Sequence, residues 1–290
     1  IGFVMDAEGG ENQIDFMSYV TAHELGHQWF GHQIVPADVK GFNVLSEGLT
    51  ENASMTAYEQ IKGYPMTRRM RKVRGNEYLS ARTGDKNPEP PLALGEDQLY
   101  IVYQKANMVF WGLRHYMEPG AMNAAIKGFV EEYGSKGAPY PTTAELVDAL
   151  RAAAPDDLQQ FITDSWEKIT FWETGFGDTA VTENADGTFT VTLTAKMAKK
   201  YASEETGKEE DADNLDEPVE IGFYKEDPKN KWEEEPMLLE RVRLIKAETE
   251  LSFTLSERPG FVVIDPRALL VERKYNDNIK ALDGKTSSSD

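Results

Sequence analysis

His23-Glu24-Leu25-Gly26-His27 places two histidines four residues apart. On a helix that spacing sets both imidazoles on one face, with Glu24 turned toward the space beside them. Just upstream, Phe16-Met17-Val20 carries apolar residues at helical spacing, so the whole stretch is predicted as one helix. Outward from it the pattern recurs in Ile101-Val102-Met108-Val109-Leu113, and residues 15 to about 155 read as a helical domain. Asn87-Pro88-Glu89-Pro90-Pro91 interrupts it as a loop and a candidate cleft wall, because adjacent prolines deny the backbone helical geometry and amide donors. Thr142-Thr143-Ala144-Glu145 sets a hydroxyl three residues before a carboxylate, a capping-box pattern that opens a helix through Leu146, Val147 and Leu150. A further helix is expected over 158–169.

After Gly175 the period changes from helical to alternating. Phe189-Thr190-Val191-Thr192-Leu193-Thr194 alternates apolar and polar residues behind the turn Asn184-Ala185-Asp186-Gly187. With Val219-Glu220-Ile221-Gly222-Phe223, 238–245, 250–255 and Phe261-Val262-Val263-Ile264-Asp265 it gives about five strands at sandwich-like spacing. The boundary is expected near 174–180. The predicted fold class is α+β in more than one domain: a mainly helical domain over 1–175, a β-sandwich over 176–281 and a flexible tail over 282–290. The acidic run 203–217, poor in apolar residues, is expected to be a mobile hairpin loop.

The chain has 290 residues, 40% of them apolar, enough to bury a sizeable core. Its 50 acidic side chains outnumber 31 basic ones, and a net charge of −19 repels phosphate backbones and anionic lipid, so nucleic acid is not an expected partner. There is no cysteine, hence no disulfide, thiolate metal site or cysteine nucleophile. No apolar run approaches the ~20 residues of a membrane span. The start at Ile1, without an initiator Met or a signal-like segment, reads as a piece of something longer.

Two imidazoles on one helix face offer two ligands to one ion. A catalytic zinc takes three protein ligands from nitrogen and oxygen donors and keeps a fourth position for water. Glu47 is the candidate third ligand, in Asn43-Val44-Leu45-Ser46-Glu47-Gly48-Leu49, which reads as the start of a second helix with Ser46 or Asn43 as its cap. A helix–turn–helix return brings it beside His23 and His27. Glu24 is then the general base that takes a proton from water attacking a peptide carbonyl, with one Zn2+ per chain as cofactor and a peptide as substrate. The bland alternative is a pair of core histidines. Against it, three of the chain's four histidines fall within ten residues. His32 turns ~140° from the ligand face and, like His115, reads as structural. Glu51, one turn past Glu47, is either an acceptor that orients a histidine or a solvated carboxylate. Trp29, Phe30, Trp111 and Trp166 are expected in the core.

His23-Glu24-Leu25-Gly26-His27-Gln28-Trp29-Phe30-Gly31 resembles the zinc-helix signature of the gluzincin aminopeptidases, the aminopeptidase N family. The resemblance implies a thermolysin-like catalytic domain and aminopeptidase activity. It assigns Tyr103, in Tyr103-Gln104-Lys105-Ala106, to the family's oxyanion-stabilising tyrosine, with Tyr100 as competitor and Ala106 in place of the family's glycine. One departure is spacing: nineteen residues separate His27 from Glu47 where the family usually has eighteen, and the loop 36–41 is the expected place for the extra one. Another is that Ala7-Glu8-Gly9-Gly10-Glu11-Asn12 does not reproduce the Gly-x-Met-Glu-Asn motif that holds a substrate's amino terminus. With Tyr100-Ile101-Val102-Tyr103-Gln104-Lys105, Pro139-Tyr140-Pro141-Thr142 and Ile264-Asp265-Pro266, the chain from Ile1 to about Ala281 further resembles the peptidase-like C-terminal region of bacterial fusions between an ABC-2-type permease and an aminopeptidase, which implies a membrane-embedded parent. A catalytically weak zinc-binding sensor or gate, and an HExxH endopeptidase, are the alternatives.

Overall fold

The computed structural model describes residues 14–229, 234–275 and 277–282. They divide into two compact units, the first formed by 14–84, 92–111 and 118–154, the second by 85–91, 112–117 and the chain from 155 onward.

The first unit is helical: α1 Phe16–Gly26, α2 Leu49–Lys62, α3 Tyr64–Gly84, the start of α4 Ala106–Tyr116, α5 Pro119–Tyr133 and α6 Thr143–Ala153. The Asp15 carboxylate caps α1, accepting from the Ser18 amide and hydroxyl at 3.0 and 2.7 Å, and pairs with Lys62 Nζ at 2.7 Å. The start of α1 is thereby tied to the end of α2. Toward the other end the two helices touch at Gly26, where a Cβ would stand 3.0 Å from Thr50 Cγ2. A Cβ here would press on the Thr50 methyl and push α2 slightly away from the helix that carries both histidines. At α6 the reciprocal cap read from the sequence is formed, with the Thr142 hydroxyl accepting from the Ala144 amide and the Glu145 carboxylate from the Thr142 amide at 2.9 Å.

Two π turns interrupt the helical pattern. Val44–Gly48 runs into α2 and Ile101–Lys105 into α4. Neither Asn43 nor Ser46 caps the helix that carries Glu47. The helix is entered through the π turn, and the Asn43 side chain donates instead to the Glu96 carbonyl at 2.9 Å.

After residue 155 the second unit continues with a 3-10 turn Asp156–Leu158, α7 Gln159–Ile162 and a third π turn, Thr163–Glu167, so the helix expected over 158–169 is present as three consecutive helical pieces that end two residues early. Strand structure begins at β1 Ile169–Glu183, ahead of the expected 174–180. Two interior glycines, Gly175 and Gly177, and a register shift between Phe176 and Thr179 break the alternation that would have marked this strand. Seven more strands follow: β2 Phe189–Ala202, β3 Glu209–Asp211, β4 Glu217–Tyr224, β5 Leu238–Leu244, β6 Glu248–Leu255, β7 Phe261–Ile264 and β8 Ile279–Ala281. One antiparallel sheet joins β1, β2 and β3, with β6 also paired to β2; the other runs β5-β4-β7-β8. The rings of Phe223 on β4 and Phe253 on β6 meet edge to face at 5.1 Å, so the two sheets share a core.

The acidic run 203–217 is not simply a loop. Its middle forms β3, held to β2 by pairing of Lys200 with Asp211 and a Lys200–Asp211 ion pair at 2.8 Å. Its end enters β4, where buried Lys199 Nζ lies 2.8 Å from Asp164 Oδ2 and 2.5 Å from Glu217 Oε1. Leu282, expected at the start of the tail, is buried and donates its amide to the Gly260 carbonyl; residues 283–290 lie outside the described residues.

Glu272 fixes the chain after β7 to β1, its carboxylate accepting from the Thr174 amide at 2.6 Å and hydroxyl at 3.0 Å and from Asn278 Nδ2 at 2.8 Å. Burial raises its pKa from 4.5 to about 8, with the charge of Asp265 acting the same way and the three donors opposing. An acid raised on folding gives its full stability below the unfolded value and loses it as pH climbs through the folded one. The thermal unfolding midpoint is therefore expected to fall between about pH 5 and about pH 9, and to fall distinctly less in Glu272→Gln.

Candidate metal centre

Both histidines keep helical geometry: His23 lies inside α1 and His27, at φ −61° and ψ −16°, closes it. Their rings stand 4.8 Å apart at 86°. The π turn Val44–Gly48 carries Glu47 to them, and its Oε2 lies 3.1 Å from His23 Nε2 and 3.3 Å from His27 Nε2. One donor atom from each of the three residues falls within 4.8 Å of the others, the one such grouping of metal-binding side chains among the described residues.

The remaining ring nitrogens are engaged in ways that leave the Nε2 atoms for the shared point. His27 Nδ1 lies 3.0 Å from the Phe30 carbonyl, so it carries the proton and Nε2 the lone pair. Gly31, at φ +105°, lets the chain turn back under this histidine; a Cβ there would stand 2.9 Å from Ser46 Oγ. His23 Nδ1 lies 3.2 Å from Glu51 Oε1, a charge contact whose N–H is not aligned as a full hydrogen bond. Glu51 is 1% exposed. The solvated reading of this carboxylate is therefore wrong: Tyr19, Asn107 and Arg74 surround it in the interior.

Burial pulls the His23 pKa down, but its hydrogen bond to Glu47, its close contact with Glu51 and the charges of both carboxylates outweigh it and lift it to about 9. Burial pushes Glu47 up, while bonds from His23 and Tyr103 and the charges of His27 and His23 leave it below its usual value. Tyr103, on the π turn Ile101–Lys105, stacks its ring on His23 at 5.5 Å and donates to Glu47. Burial, that bond and the charges of Glu47, Glu51 and Glu24 raise its hydroxyl well above the ordinary tyrosine value. Glu24 itself is exposed on α1 and close enough to act on that hydroxyl.

The structure thus brings together His23, His27, Glu47 and Tyr103, with Glu24 exposed on the same helix next to His23, and leaves the competitors apart. The Tyr100 hydroxyl accepts from Gln98 Nε2 at 3.0 Å. His32 is exposed and folds back on the His27 carbonyl at 2.6 Å. His115 is half-buried in the second unit, where desolvation and the charges of Arg267, Arg114 and Arg241 lower its pKa to about 3. Phe30, Trp111 and Trp166 are core as expected, but Trp29 is 50% exposed. Sequence reasoning missed Arg74, Asn107 and Tyr19. Tyr19 and Asn107 lie one turn from His23 and Tyr103, a periodicity that could have marked them; Arg74 carries no such signal. The acidic stretch 7–12 lies outside the described residues.

Two imidazole nitrogens and a carboxylate oxygen, converging with their other nitrogens engaged, are the donor set of a zinc site with an open position. The profile of the Peptidase family M1 domain matches residues 4–166. A comparison with curated proteins finds no match.

Proposed function

Because the chain belongs to peptidase family M1, a family of zinc metallopeptidases, we propose that it hydrolyses peptides at one zinc ion held by His23, His27 and Glu47, acting as an aminopeptidase. The observation that carries this reading is the approach of the Glu47 carboxylate to both Nε2 atoms, at 3.1 and 3.3 Å. Zinc, when bound, supplies a Lewis acid that polarises a carbonyl and makes water acidic at neutral pH. Glu24, exposed beside the ligands, accepts the proton of the attacking water and hands it to the leaving amine. Tyr103 donates its hydroxyl hydrogen bond to the carbonyl oxygen as negative charge gathers there. Glu51 holds the His23 ring in the orientation that presents Nε2 to the metal.

The exopeptidase part rests on the family resemblance. So does the membrane-embedded parent: among the described residues no helix is long and apolar enough to cross a membrane, so the crossing segments of such a parent would lie elsewhere.

The test is hydrolysis of a peptide panel, each peptide with a free and an acetylated amino terminus, by the zinc-loaded chain. Free-ended peptides alone are expected to be cut, with activity lost to a chelator and restored by zinc. Cleavage of both sets replaces the aminopeptidase with an endopeptidase. Stoichiometric zinc without cleavage of either set sinks the hydrolase reading for this chain and leaves a metal-binding module.

A further inference from the structure

Beneath the side chains of the centre lies a second polar layer, one helical turn deeper. Tyr19 precedes His23 by four residues, Glu51 follows Glu47 by four and Asn107 follows Tyr103 by four. Each element that presents a site residue thus presents another polar group on the same face one turn away. Tyr19 and Asn107 converge on the carboxylate of Glu51. The Tyr19 hydroxyl donates to Glu51 Oε2 at 2.5 Å, and Asn107 Nδ2 donates to the Tyr19 oxygen at 2.8 Å and to Glu51 Oε2 at 3.3 Å.

A carboxylate this deeply buried needs a countercharge to stay ionised, and α3 supplies one. Arg74 Nη2 lies 3.2 Å from Glu51 Oε1, the same oxygen that lies 3.2 Å from His23 Nδ1. The guanidinium carbon rests 4.8 Å from the centre of the Tyr19 ring. Its second arm points elsewhere: Nη1 donates to Glu77 Oε2 at 3.0 Å, and that oxygen also accepts from Gln104 Nε2 at 3.3 Å. Gln104 is the neighbour of Tyr103 in the π turn.

We propose that Arg74 is a positioning residue for the centre, one arm of its fork holding Glu51 against His23 and the other holding, through Glu77 and Gln104, the turn that carries Tyr103. The inference rests on the zinc-peptidase reading above. A single planar side chain then fixes both the ligand array and the hydroxyl that faces the substrate oxygen. Lysine is a point charge on a flexible stem and cannot hold both arms at once.

The experiment compares the full chain with Arg74→Met and Arg74→Lys in three readouts: zinc affinity by competition with a chelator, the visible spectrum of the Co2+-loaded protein, and kcat and KM on a free-ended peptide. Arg74→Met is expected to weaken zinc binding about 10- to 100-fold, change the Co2+ bands and lower kcat more than it changes KM. Arg74→Lys is expected to recover most of the zinc affinity and little of kcat. A folded Arg74→Met protein that binds zinc within about twofold of the parent, with the parent's Co2+ spectrum, overturns the proposal. Should Arg74→Met fail to fold, Arg74→Lys decides: a lowered kcat at near-parent zinc affinity supports the clamp, and an unchanged kcat removes it. A parent that binds neither zinc nor Co2+ overturns the zinc-peptidase reading and this inference with it, whereas a parent that binds and hydrolyses beside unaffected variants overturns the inference alone.

Discussion

Glu24→Gln is expected to bind zinc as the parent does and to lose peptide turnover by about 10²- to 10⁴-fold, the usual contribution of a positioned general base. The amide matches the carboxylate in size and can still accept a hydrogen bond from water, but it cannot keep a proton. Glu24 is exposed and outside the three-residue ligand grouping, so the substitution leaves the donors in place. Measuring zinc stoichiometry beside kcat separates the two effects. Turnover retained within a few-fold would remove Glu24 from the mechanism, and zinc lost together with activity would move it among the residues that build the site.

Tyr103→Phe is expected to lower kcat about 100-fold with KM little changed, since a donor to a developing oxyanion is worth about 3 kcal/mol and acts in the transition state rather than on bound substrate. Phenylalanine keeps the stacking on His23 and removes only the hydroxyl that reaches Glu47. Tyr100→Phe is the control. Its hydroxyl faces Gln98, and its removal should leave kcat within a few-fold. A reversed ranking of the two variants would transfer the role to Tyr100.

The comparison of Tyr100 with Tyr103 marks the limit of what periodicity resolves. They lie three residues apart and share an apolar helical pattern, and the π turn that starts just after Tyr100 and contains Tyr103 decides which one faces His23. By contrast, the residues fixed by local chemistry were legible. The His23–His27 spacing, the Thr142–Glu145 cap and the strands β2, β4, β5, β6 and β7 follow from rules that act within one element, and their ends fall close to where the sequence puts them, except that β2 runs on to Ala202, eight residues past the expected Thr194. What escaped depends on partners far along the chain or on broken alternation. β1 is hidden by Gly175, Gly177 and its register shift. The burial of Glu51 depends on Tyr19 32 residues before it, Arg74 23 after it and Asn107 56 after it. Trp29 looked like core because large aromatic residues usually are; it lies on the exposed side of the turn that follows α1.

Glu47 rides on a turn closed five residues on rather than four. A turn of that kind absorbs one residue within a helix, so the nineteen-residue interval after His27 has two places to store its surplus, the loop 36–41 and the turn itself. Removing one residue from 36–41 would leave the carboxylate in place, whereas removing one from 44–46 would tighten the turn and swing Glu47 by about 100° away from the histidines. A pattern that demands a fixed gap before the carboxylate would therefore pass over side-chain groupings of this architecture. Two insertions of equal length in this interval can have opposite fates, one silent and one lethal to the centre.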